Sequence, residues 1–299
     1  MARIHCLSTA DMDRVFEVDH LPVHDEKMFA TAFHEGVGGQ GVFVARALAA
    51  LGAPVTYHGT VGDDPTGAAL VAELSAISGL SVEITRLAGV ATGSCAIIVD
   101  RTGEKALVLA PAAPELGGRL GEGLTVEPGD IVTLNFFDPP QMARVLARAR
   151  ADGATTIVDI EATGISVFGW DAALATMAAA DIVCSNQTTL DAWSAREAVT
   201  GPLLDRAERF ARAIAVSGQR ICVTLGAAGV WVFDGAATEH IPALPVKPLN
   251  TTGAGDTFLA GLAFGLHRGD SLFAAARIAT RVAADFLGFG RIDRDRLGL

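Results

Sequence analysis

Pro248-Leu249-Asn250-Thr251-Thr252-Gly253-Ala254-Gly255-Asp256-Thr257 leads directly into an apolar run, Phe258 to Leu266. Two glycines flank one alanine, so the backbone can turn tightly and come close to a ligand. Asp256 and Thr257 stand where a helix is expected to begin. A helix start exposes unpaired N–H groups and the positive end of its dipole. Such a turn binds an anion and holds a carboxylate beside it. Two readings stand side by side: phosphate chemistry with Asp256 as base, or a capped, buried helix entered through a glycine turn. The stretch alone does not choose between them.

Working outward, the pattern before it is regular from Asp130 onward. Strands are predicted over Ile131–Leu134, Thr155–Ile160, Ile182–Ser185 and Ile221–Leu225. Helices are predicted over Gln141–Ala151, Trp170–Ala179 and Leu203–Ala215, with a late helix over Arg277–Leu287 and a final loop at Gly288–Arg291. Continuous apolar strands alternating with helices imply an α/β fold with a mostly parallel sheet covered on both faces. Nearer the start, Ile4–Leu7 and Val55–Val61 read as strands. Val42–Leu51 and Ala68–Ile77 read as helices, the first closed by Gly52. Val82–Leu87, Cys95–Val99 and Ala106–Leu109 are further strands, the last two joined by the hairpin-like turn Asp100–Lys105. This hairpin-rich block predicts a small antiparallel sheet set apart from the main one. No linker or repeat divides the chain, so residues 1–299 are expected to form one domain.

Composition narrows the classes. Of 299 residues, 50% are hydrophobic, enough to bury a large core. The net charge of −11 argues against a nucleic-acid surface, which needs clustered Lys and Arg, but leaves room for a small anionic ligand in a local pocket. Cys6, Cys95, Cys184 and Cys222 are scattered, with no C-x-x-C pair, and are expected as buried thiols in a reducing cytoplasm. The opening residues are too short and polar for a signal peptide, and no apolar run is long enough to span a membrane.

Several residues are candidates for binding. Asp11 and Asp13 follow the first strand and share a face if the chain there is extended. Sites in open α/β sheets lie beyond the carboxyl ends of strands, where a carboxylate can take two hydrogen bonds from vicinal hydroxyls. Glu35-Gly36-Val37-Gly38-Gly39-Gln40-Gly41 leads into the helix at Val42 and offers a second glycine turn, with Arg14 and Lys27 as nearby cations. Thr224-Leu225-Gly226-Ala227-Ala228-Gly229-Val230-Trp231 is a strand, a small-residue turn and another strand. Each also has an ordinary structural reading as a solvated strand end, a surface charge or a plain hairpin.

The order and spacing of Gly38-Gly39, of Thr224 to Gly229 and of Thr251 to Asp256 resemble the PfkB, or ribokinase-like, carbohydrate kinase family across nearly the whole chain. The resemblance implies a ribokinase-like α/β fold with a small β-sheet lid, formed by segments of about 14–37 and 92–110. It implies ATP and magnesium as cofactors, a small sugar as partner, no nucleic acid or membrane partner, and a homodimer through the lid. Asp256 is implied as the base. Gly253, Ala254 and Gly255 are implied as an anion hole, and the helix end is expected to keep Asp256 ionised. Asp13, Asp11, Gly38 and Gly39 are implied at the sugar, with Gln40, Phe43 and Lys27 as further substrate contacts. Asn186, Thr224, Gly226 and Gly229 are implied at the nucleotide.

The chain departs from the family pattern at several points. Gln40 and Phe43 stand where family ribokinases carry Lys and Asn, and Asp11 stands where many relatives carry Asn, which puts ribose itself in question. Thr189 replaces the Glu of the family's N-x-x-E motif at Asn186, so magnesium is expected to be held more through water and phosphates. Asn250 replaces the Asp of the monovalent-cation loop, which weakens the case for potassium. The leading expectation is ATP-dependent phosphorylation of a hydroxymethyl group of a small sugar or sugar acid, with a keto-deoxy sugar acid or a sulfonated ketohexose among the candidates and nucleosides less favoured. The alternative is a sugar- or nucleotide-binding regulatory protein on the same fold. A dinucleotide oxidoreductase fits poorly, because the first βα turn lacks G-x-G-x-x-G.

Overall fold

The computed structural model describes residues 2–110, 114–216, 218–249 and 251–299. The chain opens with β1 (Ile4–Leu7), leaves for β2 (Asp11–Glu17) and β3 (Ala32–Gly38), and returns through α1 (Gln40–Ala50), β4 (Val55–Gly62), α2 (Pro65–Ser75) and β5 (Leu80–Leu87). A second excursion makes β6 (Gly93–Val99) and β7 (Lys105–Ala110). Then follow α3 (Pro114–Arg119), β8 (Ile131–Asn135), α4 (Pro139–Ala151), β9 (Thr155–Ile160), α5 (Ala162–Phe168), α6 (Trp170–Ala179), β10 (Ile182–Asn186), α7 (Gln187–Arg196) and α8 (Leu203–Ile214). The last part holds β11 (Arg220–Thr224), a 3-10 turn at Gly226–Ala228, β12 (Val230–Phe233), β13 (Thr238–Ile241), α9 (Ala254–His267), α10 (Leu272–Phe289) and α11 (Arg294–Leu297).

The large sheet has the order β13-β12-β11-β10-β9-β8-β1-β4-β5, parallel except for β12 and β13. Strand order reverses between β1 and β8, which opens a crevice at the carboxyl ends of those strands. Alternation along the strands sorts the core into two layers. Ile4, Cys6, Ile131, Ile157, Ile182 and Cys184 pack under α1, α2, α9 and α10. Leu7, Val132, Leu134, Val158, Ile160 and Val183 pack under α4, α6, α7 and α8. α8 shows why: Ala207, Phe210, Ala211 and Ile214 recur at helical spacing and are its buried stripe. α9 is buried almost all round, and Gly261 and Gly265 let it lie against Ala279 and Ala275 of α10.

Helix starts follow their caps. The Asp64 carboxylate accepts from Gly67 N at 2.7 Å ahead of α2, and Asp138 accepts from Gln141 N at 2.8 Å ahead of α4. Ser271 caps α10, which begins ahead of the predicted Arg277 and runs past Gly288 to Phe289. α7 had no counterpart in the sequence reading. Its first turn, Gln-Thr-Thr, has weak helix propensity, and the Asn186 cap sets its start.

The small sheet has the order β3-β2-β6-β7 and is mixed, not antiparallel throughout as the sequence suggested. β2 and β6 are parallel because both leave the large sheet from its carboxyl edge, one after β1 and one after β5. The four cysteines are free and buried, as expected. Among the described residues no helix is long and apolar enough to cross a membrane.

The turn from β3 into α1 depends on Gly39, at φ 101°, where a Cβ would lie 2.6 Å from the Thr9 carbonyl oxygen. That carbonyl is backbone and has little room to yield. Gly39→Ala is expected to cost about 1–3 kcal/mol, read as a lower thermal midpoint than wild type.

Candidate active site

Strand parity assembles a polar, acidic cluster under α9. Asn135, Asp159, Glu161, Asn186 and Thr224 end or follow β8, β9, β10 and β11 on the face that carries α9. α9 starts at Gly253, at φ 82°, with no side-chain cap of its own among the described residues. Its first turn therefore offers N–H groups to a ligand, with Asp256 in that turn. Thr257 closes the turn, donating from its N to Gly253 O at 2.8 Å and from its hydroxyl at 2.7 Å. A small cavity under the turn is lined by Asp159, Glu161, Asn186, Thr224, Gly255 and Phe258.

Glu161 joins the parts of this site. Asn186 Nδ2 donates to its carboxylate at 3.3 Å, and the Gln40 amide also hydrogen-bonds it. Burial raises the Glu161 pKa and those two hydrogen bonds oppose the rise. Asp159 is raised well above the carboxylate range, by burial and then by Glu161 and Asp256. Asp256 is pushed up to about 8, first by burial and then by the Glu161 charge. This overturns the expectation that the helix end keeps Asp256 ionised. The dipole is worth about 0.3–1 kcal/mol, less than the desolvation and like charge that oppose it. Asp256 thus gives up its proton as pH rises through about 8.

A second pair of carboxylates lies on β2, beside β3. Asp11 and Asp13 share a face, as the spacing predicted, while Arg14 points the other way and pairs with Glu35 at 2.7 Å. Gly38 is pressed against Asp13: a Cβ there would fall 2.2 Å from the carboxyl group. Asp11 is raised to about 6 by burial and then by Asp13. Asp13 is raised to about 6 by burial, with the Arg46 charge pulling it back. Arg46 of α1 is itself held by Glu73 at 2.7 Å. The acidic cluster and this pair meet along α1. Gln40 reaches Glu161, and Phe43 lies 3.8 Å from the Cβ position of Gly253.

The remaining candidates fall at varying distances from this centre. Lys27 is exposed between β2 and β3, with no hydrogen bond or ion pair among the described residues. Gly226 lies toward Gln187 at the start of α7, while Gly229 is packed against the Ile241–Ala243 backbone. Thr224 donates from its hydroxyl to Ser185 O at 3.2 Å. Asn250 lies outside the described residues. The sequence reading missed Glu161, Asp159, Arg46 and Asn135. Its one available signal was that Asp159 and Glu161 alternate at the carboxyl end of a buried strand.

An α/β protein with a glycine turn, a carboxylate and an open helix start at the carboxyl ends of its strands has the parts that anion chemistry calls for. The sequence matches the family described as pfkB family carbohydrate kinase over residues 1–286. It is 28% identical over 287 residues to the ribokinase of Bacillus subtilis, covering 95% of this chain and 92% of the relative. It is 33% identical over 271 residues to the 1-phosphofructokinase of Rhodobacter capsulatus, covering 84% of this chain and 79% of the relative. The solved structure of phosphofructokinase-2 from Escherichia coli in complex with fructose-6-phosphate superposes with a TM-score of 0.82 at 26% identity, covering 100% of this chain and 97% of that one. The chain belongs to the pfkB family of carbohydrate kinases. It is accordingly a phosphotransferase with an alcohol group as acceptor.

The raised pair Asp11 and Asp13 sets a pH dependence. In the sugar-binding role that the resemblance implies, both must be ionised to accept hydroxyl hydrogen bonds, and both take up protons as pH falls through about 6. The sugar KM is expected to rise below about pH 6 while the ATP KM stays level. Arg46→Gln removes the charge that favours ionised Asp13 and is expected to move that limb to higher pH. An unmoved limb in a pH series of both proteins would contradict the assignment.

Proposed function

We propose that this protein transfers the γ-phosphoryl group of ATP to a hydroxymethyl group of a small sugar or sugar derivative. The observation that carries this reading is Asp256 in the first turn of α9, joined through Glu161 and Gln40 to the strand end that holds Asp11 and Asp13. Asp13 and Asp11 accept sugar hydroxyls, Gly38 and Gly39 let the sugar approach the backbone, and Asp256 takes the proton of the attacking hydroxyl. The N–H groups of Gly253, Ala254 and Gly255 receive the phosphoryl oxygens. Asn186, Thr224, Gly226 and Gly229 border the nucleotide. Gln40 and Phe43 select the sugar, with Lys27 at the rim.

Magnesium accompanies ATP in this reading. Thr189 is not its carboxylate substitute: it is fully buried, and its hydroxyl donates to Ile160 O and Asn186 Oδ1 at 3.2 and 3.1 Å. Glu161 brings a carboxylate to the same asparagine. Among the described residues no ion pair neutralises Asp159, Glu161 or Asp256. An uncompensated oxygen set of this kind fits a hard dication. Among the described residues no three acidic, His or Cys side chains form a ready-made cage. Glu161 would therefore hold magnesium together with water and phosphate oxygens. When bound, the ion supplies positive charge to the phosphates. Asn250 lies outside the described residues, and a monovalent cation is left out of the scheme.

The small sheet acts as a lid on one kinase domain spanning residues 1–299, with lid segments of about 14–37 and 92–110. Leu107, Val108 and Leu109 of β7 are 50%, 63% and 56% exposed, and they support pairing with a second lid in a homodimer. The four free thiols support a cytoplasmic setting.

ADP release is the measurement, run with ATP and magnesium against pentoses, ketohexoses, sugar acids, sulfonated sugars and nucleosides. One strong responder is expected. With that sugar, Asp256→Asn is expected to keep ATP binding and lose about 10²–10⁴-fold in kcat. Silence across the panel with intact ATP binding would favour the regulatory binder instead.

A further inference from the structure

The acceptor side and the phosphate side of this site are both acidic. Asp11, Asp13, Asp159, Glu161 and Asp256 all carry raised pKa values, and burial leads the causes in each. A phosphoryl group enters this neighbourhood with negative charge of its own. Gln40, at the start of α1, is neutral and is engaged with Glu161. α1 therefore brings no ammonium to the turn at its first residue.

A cation reaches the turn from elsewhere. Lys105 opens β7, at the far edge of the small sheet, and its Nζ donates to the hydroxyl of Thr252. Thr252 immediately precedes Gly253, the residue from which α9 starts. The contact spans 147 residues of sequence and joins the small sheet to the phosphate-binding turn. Lys105 is exposed, so its four-carbon stem is free to turn. The other ties between the small sheet and the large domain lie at its opposite end. There Thr92 meets Asp64 at 2.8 Å, and Val37 N meets Glu73 at 3.1 Å.

We propose that Lys105 is a catalytic residue delivered by the small sheet, its ammonium passing from the Thr252 hydroxyl to the oxygens of the transferring phosphoryl group. This rests on the kinase reading above. The charge enters the site only when the small sheet is down over it, so charge stabilisation and closure become one event. Without the sheet in place, the turn faces the phosphates with backbone N–H groups alone. Phosphoryl transfer to water from the open state is thereby disfavoured.

The test uses the full-length protein and the responding sugar. Lys105→Met keeps a similar length and removes the charge, and Lys105→Arg keeps the charge. The Met variant is expected to fold as wild type, bind sugar within about threefold and lose about 10²-fold in kcat. The Arg variant is expected to recover most of that loss. A kcat in Lys105→Met within about twofold of wild type would overturn the proposal and leave the kinase reading standing. So would an unchanged kcat with a tenfold higher sugar KM, which would make Lys105 a latch only. A wild-type protein with no sugar-dependent ADP release would remove the kinase reading, and this inference with it.

Discussion

Asp256 stands where two fields oppose each other. The start of α9 favours its negative charge, while burial and the Glu161 carboxylate disfavour it, and the balance holds its pKa at about 8. Placing a carboxylate there requires a helix whose first turn is fixed and whose cap is not a side chain. Gly253 supplies the left-handed turn. The apolar body of α9 supplies the fixing, because it is buried between α1 and α10 and cannot slide without exposing that surface. Gly261 and Gly265 remove the side chains that would hold α10 away. A weakly basic carboxylate would be a poor proton acceptor for a sugar hydroxyl. In the reaction proposed above, a carboxylate raised in this way accepts a proton more readily than an ordinary one.

The large sheet makes this crowding possible. Period-two alternation sends every second residue of β9, β10 and β11 toward α9, so polar residues at their carboxyl ends converge on one cavity. The interior positions of the same strands are apolar on both faces and carry the core. The sheet thus tolerates an electrostatically strained edge because its stability is won elsewhere. The His5–Asp130 contact at 3.1 Å lies at the start of β8, away from that edge.

Much of the fold was legible in the sequence. The parallel strands announce themselves as short apolar runs, and the turn at Gly253 to Asp256 identifies itself by its glycines and the helix behind it. β2 was harder to read. Two aspartates in seven residues disfavour a strand, and only pairing with β3 and β6 makes one. α7 was lost because its cap is the last residue of β10. Asp11, Asp13, Gly38 and Asp256 could be chosen because each sits in a recognisable local pattern. Glu161, Arg46 and Lys105 could not. Each reads locally as an ordinary surface charge, and each acquires its place from a contact far along the chain: with Asp256, with Asp13 and with Thr252.

Position 40 shows how these charges depend on one another. A lysine there would bring a positive charge toward Glu161. Glutamine gives the same carboxylate a hydrogen bond that opposes the rise imposed by burial, and it brings no charge of its own. The Glu161 charge raises Asp256 and leaves the cavity with an unmet demand for a cation. Because the residue at the start of α1 is neutral, nothing on that helix's first residue offsets the acidic charge of Glu161 and Asp256.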